Sequence, residues 1–307
     1  MIDLSVSLGD IKLDNPVIPA SGTFGYGLEF AELYDINILG SFSIKGTTSA
    51  ERFGNPLPRI AETPSGMLNS VGLQNPGAEA VVNEYFPKLK KVYRKKVFAN
   101  VGGHDVVSYM KAAEILSRDD IVCALELNIS CPNVKEGGMA FGTDPVKAAE
   151  ITAAVKSVSE KPVFVKLSPN VTSVVDVAIA VAAAGADGIT LINTLLGMAV
   201  DRKTGRAITA VPHAGLSGAA VKPVALRMVH EVAGAVDLPI IGMGGIESAW
   251  DVIEFMSVGA SAVMVGSKNL TDPFICKKII EELPGVLSEI GVSDIKSIIG
   301  RTDRCAR

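Results

Sequence analysis

The sequence predicts a closed (β/α)8 barrel, and three observations carry that prediction. Eight short β-rich runs recur, each ending in small or polar residues and leading into a helical pattern. Several of the runs are apolar throughout, as parallel strands covered on both faces require. The chain has 307 residues, 48% of them hydrophobic, which is enough for one large core. Eight strand–helix units in one chain favour a barrel over an open sheet.

In chain order, Leu4–Leu8 and Ile11–Leu13 alternate around Gly9-Asp10, which predicts a hairpin that plugs the bottom of the barrel. The strand runs follow at Val17–Gly22, Ser41–Thr48, Val97–Gly103, Ala124–Pro132, Val163–Pro169, Gly188–Thr194, Ile240–Ile246 and Ala262–Ser267. Helical patterns lie between them, among them Pro145–Ser159, Ser173–Ala184, Lys222–Val236 and Ser248–Val258. The connection from Thr48 to Val97 is long. Its segment ETPSGMLNSVGLQNPG (62–77) is too polar and too rich in glycine and proline to be a helix, and a helical run follows from Ala78 to Tyr93. A long loop on the carboxyl-terminal face of a barrel is usually functional. No linker, low-complexity tract or short repeat divides the chain, so residues 1–307 are expected to form a single domain.

Composition excludes several classes of function. A net charge of -4 argues against a nucleic-acid surface. No apolar run approaches the roughly 18 residues of a membrane span, and the charged N-terminus MIDLSVSLGDIKLDNP has no signal-peptide pattern. The four cysteines, at 123, 131, 276 and 305, show no CxxC spacing. They fit a reducing cytoplasm, with neither a disulfide framework nor a metal site.

The chemistry concentrates at strand ends. In ALELNISCP (124–132) an apolar run ends in Asn128, Ser130 and Cys131, and Pro132 stops the ladder. Gly137, Gly138 and Gly142 follow, in a loop suited to opening and closing. From this segment alone, Cys131 is either an acid–base or nucleophilic group or a small buried hydrophobe. Two late strands meet their helices at GMGGI (242–246) and VGS (265–267). Backbone N–H groups there can cradle a phosphate, where barrels commonly bind one. Otherwise those glycines merely permit tight turns. LSG (216–218) is a third candidate contact. Lys45 and Lys166 sit within apolar strand runs, and a buried ammonium requires an anionic partner. Asn69, Asn100, Asn128 and Asn193 fall at strand ends or in the long loop, offering paired donors and acceptors to an amide-rich ring. His104, His213 and His230 form no triad with a serine, and DRKTG (201–205) reads as a solvated loop tip.

These motifs, taken in order, resemble the class 1 dihydroorotate dehydrogenases, and among them the NAD-linked (class 1B) catalytic subunit. The resemblance runs essentially end to end: NPVIPASGTFG (15–25), SIKGTT (43–48), NPLPRIAETPSGMLNSVGLQNPG (55–77), NISCPNVKEGGMAFGTDP (128–145), VKLSPN (165–170), INT (192–194), GLSG (215–218), GMGGI and VGS. It implies a (β/α)8 barrel with one non-covalent FMN per chain, oxidising (S)-dihydroorotate to orotate in pyrimidine synthesis. It also implies roles. Cys131 stands at the catalytic base. Ser21, Lys45, Gly46, Asn100, Asn128, Lys166 and Ile192 stand at flavin-contacting positions, and Gly218, Gly244, Gly245, Gly266 and Ser267 at the flavin phosphate. Lys45, Asn69, Ser70, Val71, Gly72, Leu73, Asn128, Asn193 and Thr194 stand at substrate-contacting positions. The implied partner is a subunit carrying FAD and a [2Fe–2S] cluster, docked on a homodimer of this chain to give a heterotetramer.

Three rival readings make different demands. A class 1A homodimer would use fumarate, but the long loop here reads ETPSGMLN, as in the NAD-linked form. A membrane-bound class 2 enzyme calls for a serine base and an apolar N-terminal extension. A flavin-free barrel lyase or isomerase acting on a phosphosugar would use the same phosphate loops, and would be colourless.

Overall fold

A computed structural model describes residues 2–129 and 141–302. The N-terminal hairpin forms as expected from β1 (Val6–Leu8) and β2 (Ile11–Leu13), with Val6 opposite Leu13 and Leu8 opposite Ile11. Gly9 turns the chain at φ +61°, in the left-handed region that glycine enters without cost. Alternation puts Val6, Leu8 and Leu13 on one face, where they join the main apolar core.

The barrel strands are β3 (Val17–Pro19), β6 (Val97–Val101), β7 (Val122–Asn128), β8 (Val163–Lys166), β9 (Gly188–Leu191), β12 (Ile240–Met243) and β13 (Ala262–Val265). They form one parallel sheet in the order β3-β13-β12-β9-β8-β7-β6. The gap between β3 and β6 is filled by residues 41–48. Ser43 N–H donates to Pro19 on one side, while Ile44 and Thr47 N–H donate to Phe98 and Asn100 on the other. The expected strand Ser41–Thr48 is therefore in place, but it reduces to two isolated bridges, Ser43 to Phe98 and Thr47 to Val101. Its ladder breaks at Lys45, whose N–H turns away to Gly25 O. Six of the other strands begin as expected and stop two or three residues early, because their ends peel away toward the mouth of the barrel, whereas β7 begins two residues earlier than expected, at Val122.

Helices cover the outside, at Val106–Ser117, Pro145–Val158, Val174–Ala183, Lys222–Ala233, Ala249–Ser257 and Ile275–Glu289. Side chains of Asp105, Asp144, Ser173 and Ser248 cap four of them by accepting from backbone N–H groups of the first turn. The helical run after the long connection spans 78–92, with a wider π-turn at Val81–Tyr85.

The long connection holds more order than its composition implied. β4 (Ile60–Thr63) and β5 (Gly66–Asn69) make a hairpin, and β5 pairs with β11 (Ala214–Ser217), which pairs with β10 (Leu195–Gly197). This antiparallel sheet, β10-β11-β5-β4, stands over the carboxyl-terminal mouth. Asp201–Gly205 is indeed an exposed turn, and it lies within the β10–β11 excursion. No helix among the described residues is long and apolar enough to cross a membrane.

Candidate active site

The ends of the barrel strands and the antiparallel sheet enclose a cavity of about 200 Å³. Its wall includes Ser21, Lys45, Gly46, Asn100, Asn128, Lys166, Ile192, Gly218, Gly244, Gly245, Gly266 and Ser267, all expected at a cofactor. Asn69, Val71, Gly72, Leu73, Asn193 and Thr194, expected at a substrate, line the same cavity. Ser70 does not. Its N–H donates to Arg59 O, its carbonyl accepts from Asn55, and its Oγ is buried without a partner. It directly follows β5, and its backbone bonds to Arg59 and Asn55 accompany a side chain that faces away from the cavity between Asn69 and Val71. Cys131 lies outside the described residues.

Below the cavity floor sits a residue that the sequence reading passed over. Glu126 is fully buried in β7, one inward position deeper than Asn128. Its Oε2 accepts from Ser43 Oγ and Asn100 Nδ2, both at 2.6 Å. Its Oε1 accepts from Thr190 Oγ1 at 3.1 Å and lies 3.5 Å from Lys166 Nζ. This is the anionic partner that a lysine in a buried strand demands. The demand itself was the signal: ALELN carries one carboxylate inside an apolar run. Removing the lysine would strand that charge. Lys166→Ala is expected to cost about 3–5 kcal/mol of stability, read from the midpoint of chemical denaturation.

Higher in the site, Asn193 Nδ2 donates to Asn128 Oδ1 at 3.2 Å, and Asn193 Oδ1 accepts from the Thr194 N–H. Tyr109 fixes the end of β7 by donating to Asn128 O. Asn75 braces the loop below Leu73, donating to Leu73 O and accepting from the N–H groups of Thr48 and Gly77. Leu73 itself has φ +57°, a strained conformation for a side-chain-bearing residue. Gly46 makes room for this arrangement, since a Cβ there would lie 2.8 Å from Asn100 Oδ1 and 3.2 Å from Leu73.

At the opposite end, Gly218, Gly244, Gly245, Gly266 and Ser267 converge. A Cβ on Gly245 would meet Gly218 O at 2.9 Å and Lys222 N at 3.1 Å, so this loop rests on the start of the helix Lys222–Ala233. The loop is braced from behind by Asp251, which accepts from Glu247 N–H and Ser248 Oγ and pairs with Lys222 at 2.6 Å. Partial burial opposes ionisation of Asp251, but the Lys222 ammonium and these hydrogen bonds outweigh it and hold its pKa below the ordinary value. Together the wall offers backbone N–H groups for a phosphate, a polar amide ring for a heterocycle, and one buried ammonium.

The family model for dihydroorotate dehydrogenase matches residues 3–287. The chain is 58% identical, over 97% of its length and 96% of theirs, to the dihydroorotate dehydrogenase B (NAD(+)) catalytic subunits of Bacillus pumilus and Bacillus thuringiensis. It belongs to the dihydroorotate dehydrogenase family. A solved structure from Eimeria tenella, dihydroorotate dehydrogenase in complex with ferulenol, shares the fold with a TM-score of 0.81. That likeness covers 98% of this chain and 89% of the other at 22% identity.

The dihydroorotate dehydrogenase fold disposes of two cysteines as reactive groups. Burial pushes the Cys123 thiol up to about 12 and raises that of Cys276 as well, so neither forms a thiolate near neutral pH. His104 and His213 are exposed and His230 is half-buried, and none lines the cavity. Residues that line it without having been singled out include Thr23, Met67, Val221, Met243 and Leu270. Most are apolar and indistinguishable in sequence from core residues.

Proposed function

We propose that this chain is the catalytic subunit of an NAD-linked dihydroorotate dehydrogenase, oxidising (S)-dihydroorotate to orotate with bound FMN. The observation that carries this reading is the meeting of the flavin-type and substrate-type residue sets in one cavity. The described residues fit FMN. Gly266 lines the cavity, and a Cβ there would enter open space, leaving the backbone accessible to a phosphate. Asn100 Oδ1 is buried without a partner, an acceptor awaiting a ring N–H. Gly218, Gly244, Gly245 and Ser267 would hold the phosphate end. Ser21, Lys45, Gly46, Asn100, Asn128, Lys166 and Ile192 would hold the ring.

When bound, FMN supplies the two-electron acceptor that takes hydride from C6 of the substrate. The chain does the rest. Asn69, Asn128, Asn193 and Thr194 orient the substrate's amide groups and carboxylate, with Lys45 balancing negative charge. Cys131 removes the proton from C5 as general base. Lys166 would balance negative charge on the ring of the bound flavin. Lys166→Ala is therefore expected to impair flavin reduction by dihydroorotate more than it impairs FMN retention, measured by stopped-flow bleaching and by flavin content.

A second subunit carrying FAD and a [2Fe–2S] cluster would take the electrons onward. Such a cluster needs four protein ligands. Cys276 is buried and Cys123 half-buried, Cys131 is committed to catalysis, and no ferredoxin-like spacing exists. Exposed apolar side chains on the antiparallel sheet and its loops, Leu57, Ile60, Leu196 and Met198, support an assembled form built on a homodimer. The isolated chain is expected to purify yellow and iron-free, to be bleached by dihydroorotate, and to reduce artificial acceptors but not NAD at a useful rate. Co-purification with the iron–sulfur flavoprotein restores NAD reduction. Rapid NAD turnover by the iron-free chain would overturn the subunit assignment. Efficient fumarate reduction would favour the self-sufficient homodimer, and colourless protein a flavin-free barrel enzyme.

A further inference from the structure

The buried carboxylate beneath the cavity does more than neutralise a lysine. Each oxygen of Glu126 faces one group that can only donate: Asn100 Nδ2 on Oε2 and Lys166 Nζ on Oε1. The hydroxyls of Ser43 and Thr190 complete the set. These donors come from four different strand positions around the barrel, so the carboxylate is fixed from every side. Two consequences follow for the residues above it. The Asn100 amide cannot flip: with its NH2 committed downward, its Oδ1 must face the cavity, where it stays buried and unpartnered. Lys166, a residue 5% exposed, reaches the cavity as the positive end of a buried ion pair rather than as an isolated cation.

Resting on the FMN reading above, we propose that Glu126 is the positioning residue that sets the reduction equilibrium of the bound flavin. It acts through Lys166, whose charge it offsets, and through Asn100, whose acceptor it presents to the ring. A bare lysine ammonium would favour the reduced, more negative ring strongly. The pair favours it less, so the enzyme remains able to pass electrons onward. Without the carboxylate, the amide NH2 of Asn100 is free to turn into the cavity and oppose a ring N–H.

The test is the midpoint potential of bound FMN, measured by dye-equilibrated reduction alongside FMN affinity. Glu126→Gln is expected to shift the equilibrium toward reduced flavin about tenfold, which is about 30 mV for a two-electron couple. That is the order expected when one nearby unit charge is removed from a partly buried site. FMN binding weakens several-fold in the same variant. Glu126→Asp keeps the charge and is expected to hold the potential near that of the unaltered protein even where its shorter reach weakens binding. The double variant Glu126→Gln with Lys166→Met buries no unpaired charge and remains testable if the single variant does not fold. It is expected to shift the equilibrium the other way, because the positive end of the pair is gone. If Gln and Asp weaken FMN binding alike and leave the potential unmoved, Glu126 is purely structural and the proposal fails. Unaltered protein that binds no flavin would overturn the functional reading and this inference together. Unaltered protein that is flavin-loaded and bleached by dihydroorotate, with unmoved variants, overturns this inference alone.

Discussion

Cys131→Ala is expected to slow reduction of the bound flavin by dihydroorotate about 100-fold or more, the usual scale for a lost general base, while FMN remains bound. The expectation separates chemistry from binding, because the flavin-type residues that line the cavity, Asn128 apart, are contributed by other segments. Cys131 follows the end of β7 by three residues, and β7 already delivers Glu126 and Asn128 to the site. A thiol of ordinary pKa, near 8.5, is mostly protonated at neutral pH. Reduction should therefore accelerate as pH rises and the thiolate fraction grows. Cys131→Ser should keep a little activity, displaced to higher pH because a hydroxyl is a far weaker acid. Stopped-flow bleaching across a pH series measures all three proteins. Near-normal reduction in the alanine variant would remove Cys131 from the mechanism.

How much of this was legible in the sequence depends on what each residue does. The barrel strands were readable because runs such as IIGM and AVMV are buried on both faces and carry no polar side chain. Ser41–Thr48 was readable as a barrel position but not as a broken ladder, since the break comes from a long-range bond, Lys45 N–H to Gly25 O. The antiparallel sheet over the mouth was illegible. Its strands are three or four residues long, and β10 and β11 lie on either side of the polar excursion at 198–213. Their pairing is decided by tertiary contact rather than local propensity. The cavity wall was legible where polar residues end apolar strands, as with Asn100, Asn128 and Lys166. Ser70 shows the limit. Within a contiguous motif one side chain can point away while its neighbours line the cavity, and a motif alone does not say which. Glu126 shows the complementary limit: a burial argument demanded an anion for Lys166, and only the barrel's closure showed which one.

The phosphate end yields the second large effect. Gly266 and Gly245 both line the cavity, but they are constrained differently. Gly245 has φ +76°, and its Cβ would press on Lys222 Cβ at 2.8 Å and Gly218 O at 2.9 Å. Gly266 has no positive φ, and a Cβ there meets nothing within 4 Å. Gly266→Asp is therefore expected to leave the apoprotein's thermal midpoint nearly unchanged while expelling FMN. A carboxylate placed about 4 Å from a phosphate opposes it by about 4 kcal/mol at an effective dielectric of 20. With about 1.4 kcal/mol per tenfold in affinity, FMN binding should weaken by two to three orders of magnitude. Gly245→Asp should expel FMN too, but with a lowered midpoint, since it also strains the backbone and displaces the start of the helix Lys222–Ala233. Lys166→Ala forms the contrast, because it keeps the phosphate cradle intact and should retain flavin better than either glycine variant. Flavin content after purification, a titration with added FMN and a melting curve of each apoprotein separate the three. Gly266→Asp protein that purifies fully yellow would place the phosphate elsewhere in the barrel.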